Sequence, residues 1–234
     1  MSNVNSKWIN IVFCIGESGS MWGSRDEVTS GFKKMIDEQK EVKDGKVTVS
    51  LFTFNDVVKK CFVGKDINDI GEFEYNPSSM TRMNDGIGTA IDSVGKWLYE
   101  RDKNNEEMPQ KTMFVLFTDG MENSSQEYTL KQVQDKIKEQ TEKYSWEFVY
   151  QGVDITTSKA ADELGFKYKT YGSRDDFDNN YSIVNKSLMA WRTCANTGAA
   201  LDEVNACLNS TLTEETTANT EKYEKKLGRK ISKL

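Results

Sequence analysis

The chain contains no histidine. That absence removes Ser-His-Asp and Cys-His hydrolysis, HExxH metalloproteases and imidazole-based zinc sites. Cysteine is sparse and scattered. Cys14, Cys61, Cys194 and Cys207 form no CxxC pair, and three of them sit in apolar or helical patterns, so buried free thiols are expected. With both soft ligand types set aside, a metal on this chain has to be held by oxygen, which points to Mg, Mn or Ca. No apolar run approaches the roughly 18 residues of a membrane span, and the leading MSNVNSKW has no apolar signal core. Proline-rich linkers and internal repeats at solenoid periods are also missing. Basic residues are in the minority, 31 against 37 acidic ones, and the net charge of −6 argues against nucleic acid or an anionic membrane as the main partner. A soluble, cytoplasmic protein is expected, and no oligomeric state can be read from the chain.

What is present suits one medium domain, or one domain with a helical appendage, in 234 residues. Five Trp, eleven Phe and nine Tyr supply bulky core material. Ile9 to Ile15 is apolar on both faces, as a central strand of a parallel sheet must be, and stops abruptly at Gly16-Glu17-Ser18-Gly19-Ser20. A helix follows, capped by Asp26 and carrying Val28, Phe32, Met35 and Ile36 on one face. Val47 to Phe54 and Val57 to Val63 read as a hairpin turning at Asn55-Asp56, its second strand at a sheet edge.

Further on, Ile87, Ile91, Val94 and Leu98 mark a helix, and Lys111 to Thr118 a second central strand that stops at Asp119-Gly120. Thr129 and Gln132 fit a capping box for a helix with Leu130, Val133 and Ile137. Strands at Trp146 to Gln151 and Tyr168 to Tyr171 flank a helix around Ser158 to Leu164. This order predicts an α/β fold: a doubly wound, mostly parallel sheet with one antiparallel edge strand and helices on both faces. The domain occupies residues 1–172 and a helical extension residues 173–234. Within the extension, Phe177, Tyr181, Val184, Leu188 and Trp191 form a stripe expected to pack on the sheet, and a second helix is expected around Leu201, Val204 and Leu208.

Three loops fall at or beside strand carboxyl ends, where open α/β sheets bind ligands. They are Ser18-Gly19-Ser20, the Pro77 to Thr81 turn and Thr118-Asp119-Gly120. Hydroxyls from Ser18, Ser20 and Thr81 with the Asp119 carboxylate make an oxygen-only set suited to octahedral Mg2+ or Mn2+. Each residue also has a plainer role open to it: the serines as turn caps, Thr81 as a helix cap, Asp119 in an Asp-Gly turn. Asp85 reads as a buried carboxylate steadying the loop rather than a ligand. Glu122 and Asn123 line the same edge, exposed or against a partner. The glycines of DGIGTA match a dinucleotide loop poorly and fall inside a helix pattern.

Those three motifs, in that order, resemble the von Willebrand factor A-type (VWA) domains over roughly residues 8 to 171. The family's metal-ion-dependent adhesion site (MIDAS) combines an Asp-x-Ser-x-Ser loop, a Thr and an Asp. Ser18 and Ser20 match the serines, Thr81 in NPSSMTRMNDGI the threonine, and Asp119 in VLFTDG the second aspartate. The compact single-domain versions of bacteria and phages are the nearest in flavour. The chain departs from the motif at its first position, where Gly16 stands in place of Asp. The resemblance therefore implies a degenerate site, weakened by loss of one carboxylate, since such groups are commonly worth 10- to 100-fold in metal affinity. Glu17 is adjacent, but a one-residue shift usually sends a side chain elsewhere. The resemblance also implies a non-enzymatic protein-binding module whose partner completes the ion's coordination with an acidic group. Two alternatives stand beside it: a metal-assisted hydrolase or phosphoryl-transfer enzyme at the same loops, and an assembly component whose site is vestigial.

Overall fold

The computed structural model describes residues 3–78, 80–119, 122–152, 158–171 and 177–196, with isolated positions after them. Six strands form one sheet in the order β3-β2-β1-β4-β5-β6. They are β1 (Val4–Gly16), β2 (Lys46–Phe54), β3 (Val58–Asp66), β4 (Met108–Thr118), β5 (Glu147–Gly152) and β6 (Tyr168–Tyr171). β2 and β3 pair antiparallel, and the four other pairings are parallel. The expected mixed α/β sheet with one antiparallel edge is therefore observed.

β1 lies between β2 and β4, and its alternating residues divide between two cores. Ile9, Ile11, Phe13 and Ile15 face a layer built with helices α1 (Arg25–Glu41) and α5 (Phe177–Asn196). Val12 and Cys14 face the layer of α2 (Met83–Lys103), α3 (Leu130–Tyr144) and α4 (Ser158–Leu164). Side chains of this kind, fully buried, stabilise the fold by roughly 1.5–3 kcal/mol each. A strand flanked on both faces is largely apolar, and Asn10, the buried polar residue of its central stretch, accepts from Thr48 Oγ1 at 3.1 Å.

The helix faces follow the sequence closely. Val28, Phe32, Met35 and Ile36 of α1 are buried, and so are Tyr181, Val184 and Leu188 of α5. The side chains of Phe177 and Trp191, and the helix expected around Leu201, lie outside the described residues. Tyr181 packs into the space that a side chain at Gly31 would need: a Cβ there would come within 2.4 Å of its ring. Arg192 of α5 donates to the carbonyls of Gln39, Val42 and Asp44, satisfying the end of α1. The capping box of α3 is complete, Thr129 and Gln132 exchanging both bonds.

Two local expectations need correction. Asp26 lies in the first turn of α1, not at its cap, which is Ser24. Cys61 is exposed rather than buried. Around it the pairing jumps from Leu51↔Phe62 to Phe52↔Lys60, so Cys61 is the extra residue of a bulge on the edge strand. An edge strand is covered on few sides, so a thiol there is left at the surface. Cys14, on the central strand, is buried as expected, and burial pushes its pKa up.

Candidate metal centre

β1, β2 and β4 are parallel, so their last residues, Gly16, Phe54 and Thr118, end at one edge of the sheet. The chain leaves β1 as an extended Ser18 and enters a 3-10 turn over Gly19–Ser24. Ser18 precedes that turn but makes no side-chain cap bond. Its hydroxyl instead donates to Asp119 Oδ1 at 2.7 Å and lies 2.9 Å from Ser20 Oγ. Ser18 and Asp119 are buried, with Ser20 at the surface above them. Three of the four expected residues thus form one hydrogen-bonded cluster.

Thr81, the fourth, is brought to the same edge through its backbone. Its N–H donates to Asn123 Oδ1 at 3.0 Å, and its carbonyl accepts from the Asn123 N–H at 3.1 Å. The same connecting segment is tied on two further sides. Ser78 N–H donates to the Glu17 carbonyl and Arg82 N–H to that of Asn55. Thr81 is therefore not the cap of α2, whose N-terminal flank is Arg82.

The surrounding carboxylates act on backbone, not on the cluster. Glu17 is almost fully buried, its Oε1 accepts from the Asn76 N–H at 2.9 Å, and its Oε2 faces Lys59 Nζ at 3.5 Å. It turns away from the serines, as the one-residue offset implies. Asp85, also buried, accepts from three consecutive N–H groups, those of Gln126, Glu127 and Tyr128, at 2.8–2.9 Å. Glu122 accepts from the N–H groups of Ser124, Ser125 and Asn84, the last in the first turn of α2. Asn123 and Glu122 thus lock the β4 loop to the start of α2, a role that the sequence did not reveal. The signal existed in the short polar run ENSSQ, but nothing local says which amides it will meet.

Gly16 has its own reason to be small. A Cβ there would lie 3.3 Å from both Phe54 Cζ and Thr118 Oγ1. Its carbonyl accepts from the buried Tyr75 hydroxyl at 2.6 Å. Burial chiefly, then Tyr181 and the charges of Asp119 and Glu17, pushes the pKa of Tyr75 well above the usual tyrosine range, so that it stays a donor. Among the described residues no three Asp, Glu, His or Cys side chains gather as a metal-ligating group. The cluster is hydroxyl-rich with a single carboxylate, a hard-oxygen donor set.

A family model of the von Willebrand factor type A domain matches residues 10–154. No curated protein matches the chain in sequence. Among solved structures, proximal thread matrix protein 1 from the mussel byssus is similar at 17% identity and a TM-score of 0.53, over 76% of this chain and 45% of that one. A further structure of that mussel protein, with zinc occupying its MIDAS motif, has a TM-score of 0.50 at 17% identity, over 76% of this chain and 44% of that one. The PilB minor pilin from Streptococcus sanguinis is similar at 14% identity and a TM-score of 0.54, over 77% of this chain and 61% of that one. The chain thus spans about half the length of these proteins, and at such identities the likeness is one of fold.

Proposed function

The chain belongs to the von Willebrand factor type A domain family, whose members typically mediate protein interactions, and on that premise we propose that it is a non-enzymatic binding module with a weakened divalent-metal site. Ser18, Ser20, Thr81 and Asp119 would hold Mg2+ or Mn2+, and the bound ion would supply an electrophilic position for an acidic group of a protein partner.

One observation carries this reading. An octahedral ion with bonds near 2.1 Å keeps neighbouring ligand oxygens about 3 Å apart. Ser18 Oγ lies 2.7 Å from Asp119 Oδ1 and 2.9 Å from Ser20 Oγ, so these oxygens already stand at ligand spacing. The zinc-occupied MIDAS motif of the mussel protein supports a metal at this place in the fold. Glu17 and Asp85 are committed to backbone N–H groups. Neither is free to act as a general base, and this favours binding over hydrolysis.

Without a carboxylate at position 16, one formal negative charge faces the dication. Titration of Mn2+ by calorimetry and thermal shift tests the assignment on the native chain, Gly16→Asp and Asp119→Ala. The native chain should bind weakly and Gly16→Asp about 10- to 100-fold more tightly. Asp119→Ala should not respond. The 3.3 Å contacts around position 16 require Phe54 and Thr118 to yield by a few tenths of an ångström, so Gly16→Asp should also lose a little stability without metal. If neither the native chain nor Gly16→Asp responds to Mn2+, the metal-site reading is wrong.

A further inference from the structure

At the opposite edge of the sheet, a cleft of about 430 Å³ opens between the last turns of α2 and α3, above the start of β4. That volume lies in the range of small-molecule sites, about 300–1,000 Å³. Leu98 and Tyr99 of α2 line one side, Tyr144 of α3 the other, and Trp146 the inner wall. Tyr99 and Tyr144 are 66% and 61% exposed. Gly95 borders the open space, and a Cβ there would meet nothing within 4 Å.

The polar residues lining the cleft are Asp102, Gln110, Lys111, Thr112 and Gln140. Asp102 lines it, and its carboxylate makes no hydrogen bond or ion pair among the described residues. The Gln110 amide oxygen is buried there without a hydrogen-bond partner, a state that typically costs about 1–3 kcal/mol. α2 ends at Lys103 and α3 at Tyr144, so the negative ends of both helix dipoles lie here, offset in part by Arg101 and Lys103 of α2 and Lys143 of α3 in their last turns. Lys111, a cation in the lining, is already paired with Glu147 at 3.1 Å. Aromatic faces add a further attraction for positive charge.

We propose that this cleft is a binding site for a small arylalkylammonium ligand, a primary amine carried on an aromatic body. The ring packs between Tyr99 and Tyr144 over Trp146. The ammonium pairs with the exposed Asp102 carboxylate. The site lies at the end of the sheet away from Ser18 and Asp119, and the inference does not depend on metal.

Saturation-transfer NMR on the full chain, in the presence of chelator, tests the proposal with 2-phenylethylammonium as probe and neutral 2-phenylethanol as its control. The ammonium should bind at least about fivefold more tightly than the alcohol, and Asp102→Asn should erase most of that difference. Tyr144→Ala should weaken both probes, while Asp119→Ala should leave both unchanged. Asp102 and Tyr144 are exposed, and circular dichroism checks that each variant is folded. Equal binding of the two probes, indifference to Asp102→Asn, or no binding of the ammonium at millimolar concentration would each overturn the proposal. Tighter binding of Nα-acetyl-lysine amide than of 2-phenylethylammonium would also overturn it, by assigning the cleft to a peptide lysine.

Discussion

Helix α2 passes along the sheet, and its two halves are built on opposite terms. In the first half, from Met83 to Ile91, every residue but Thr89 is buried. A Cβ at Gly86 would come within 2.7 Å of the Phe54 ring, and one at Gly88 within 2.4 Å of the Tyr128 ring. Asp85 collects three backbone N–H groups from the loop after β4. In the second half Gly95 faces open space and Tyr99 stands in solvent. One element therefore contains a half that is closely packed, beside the hydroxyl cluster, and a half that borders an open cleft. The difference teaches that tight packing in this helix is concentrated beside the cluster of Ser18, Ser20 and Asp119.

That contrast can be broken by substitution. The largest effect should come from Asp85→Ala, which leaves three N–H groups of the 126–128 loop without their acceptor. A loss of about 3 kcal/mol is expected in urea denaturation, from charged hydrogen bonds worth about 1.5–3 kcal/mol and loop relaxation that recovers part of them. A loss below about 1 kcal/mol would mean that the loop is held by other contacts. Gly88→Ala is next. It forces the Tyr128 ring from its place and should cost about 1–3 kcal/mol, as overpacking does. The smallest effect has the opposite sign. Gly95→Ala adds a methyl in open space to a helix interior and should stabilise the fold by about 0.5–1 kcal/mol. If Gly88→Ala and Gly95→Ala shift stability alike, the two halves are not different in kind.

The strands and helices were legible because their signals are periodic and local. β1 was readable from an apolar run with no polar period, and α3 from Thr129 and Gln132 three residues apart. Boundaries were less so: β1 begins at Val4 and β4 at Met108, several residues before their apolar runs. There the two strands pair at their exposed ends, where backbone hydrogen bonds continue and side-chain patterning does not. The exposure of Cys61 is hidden from the sequence for a related reason, since it depends on a bulge that only strand pairing reveals.

At the candidate centre, residue types and order alone point to Ser18, Ser20, Thr81 and Asp119. Their direct meeting, Ser18 with Ser20 and with Asp119, is a property of the folded chain. The supporting roles of Glu17, Glu122 and Asn123 are invisible in the sequence, because each accepts from a backbone N–H of a distant segment, those of Asn76, Asn84 and Thr81. The clamp of Arg192 on the end of α1 belongs to the same class, reaching about 150 residues back along the chain. No local pattern carries information over such a separation.

By itself the sequence determined the element types, the two-faced burial of the central strands and the hydroxyl-and-carboxylate chemistry available at their ends. It did so because side-chain periodicity and the absence of histidine act locally and by exclusion. The tertiary structure alone decided which oxygens stand within 3 Å of one another. It also decided which carboxylates are spent on loops, and that the two tyrosines at the far end flank a cleft. Those outcomes depend on how parallel strands and their crossing helices bring distant segments together, which is a matter of packing and not of pattern.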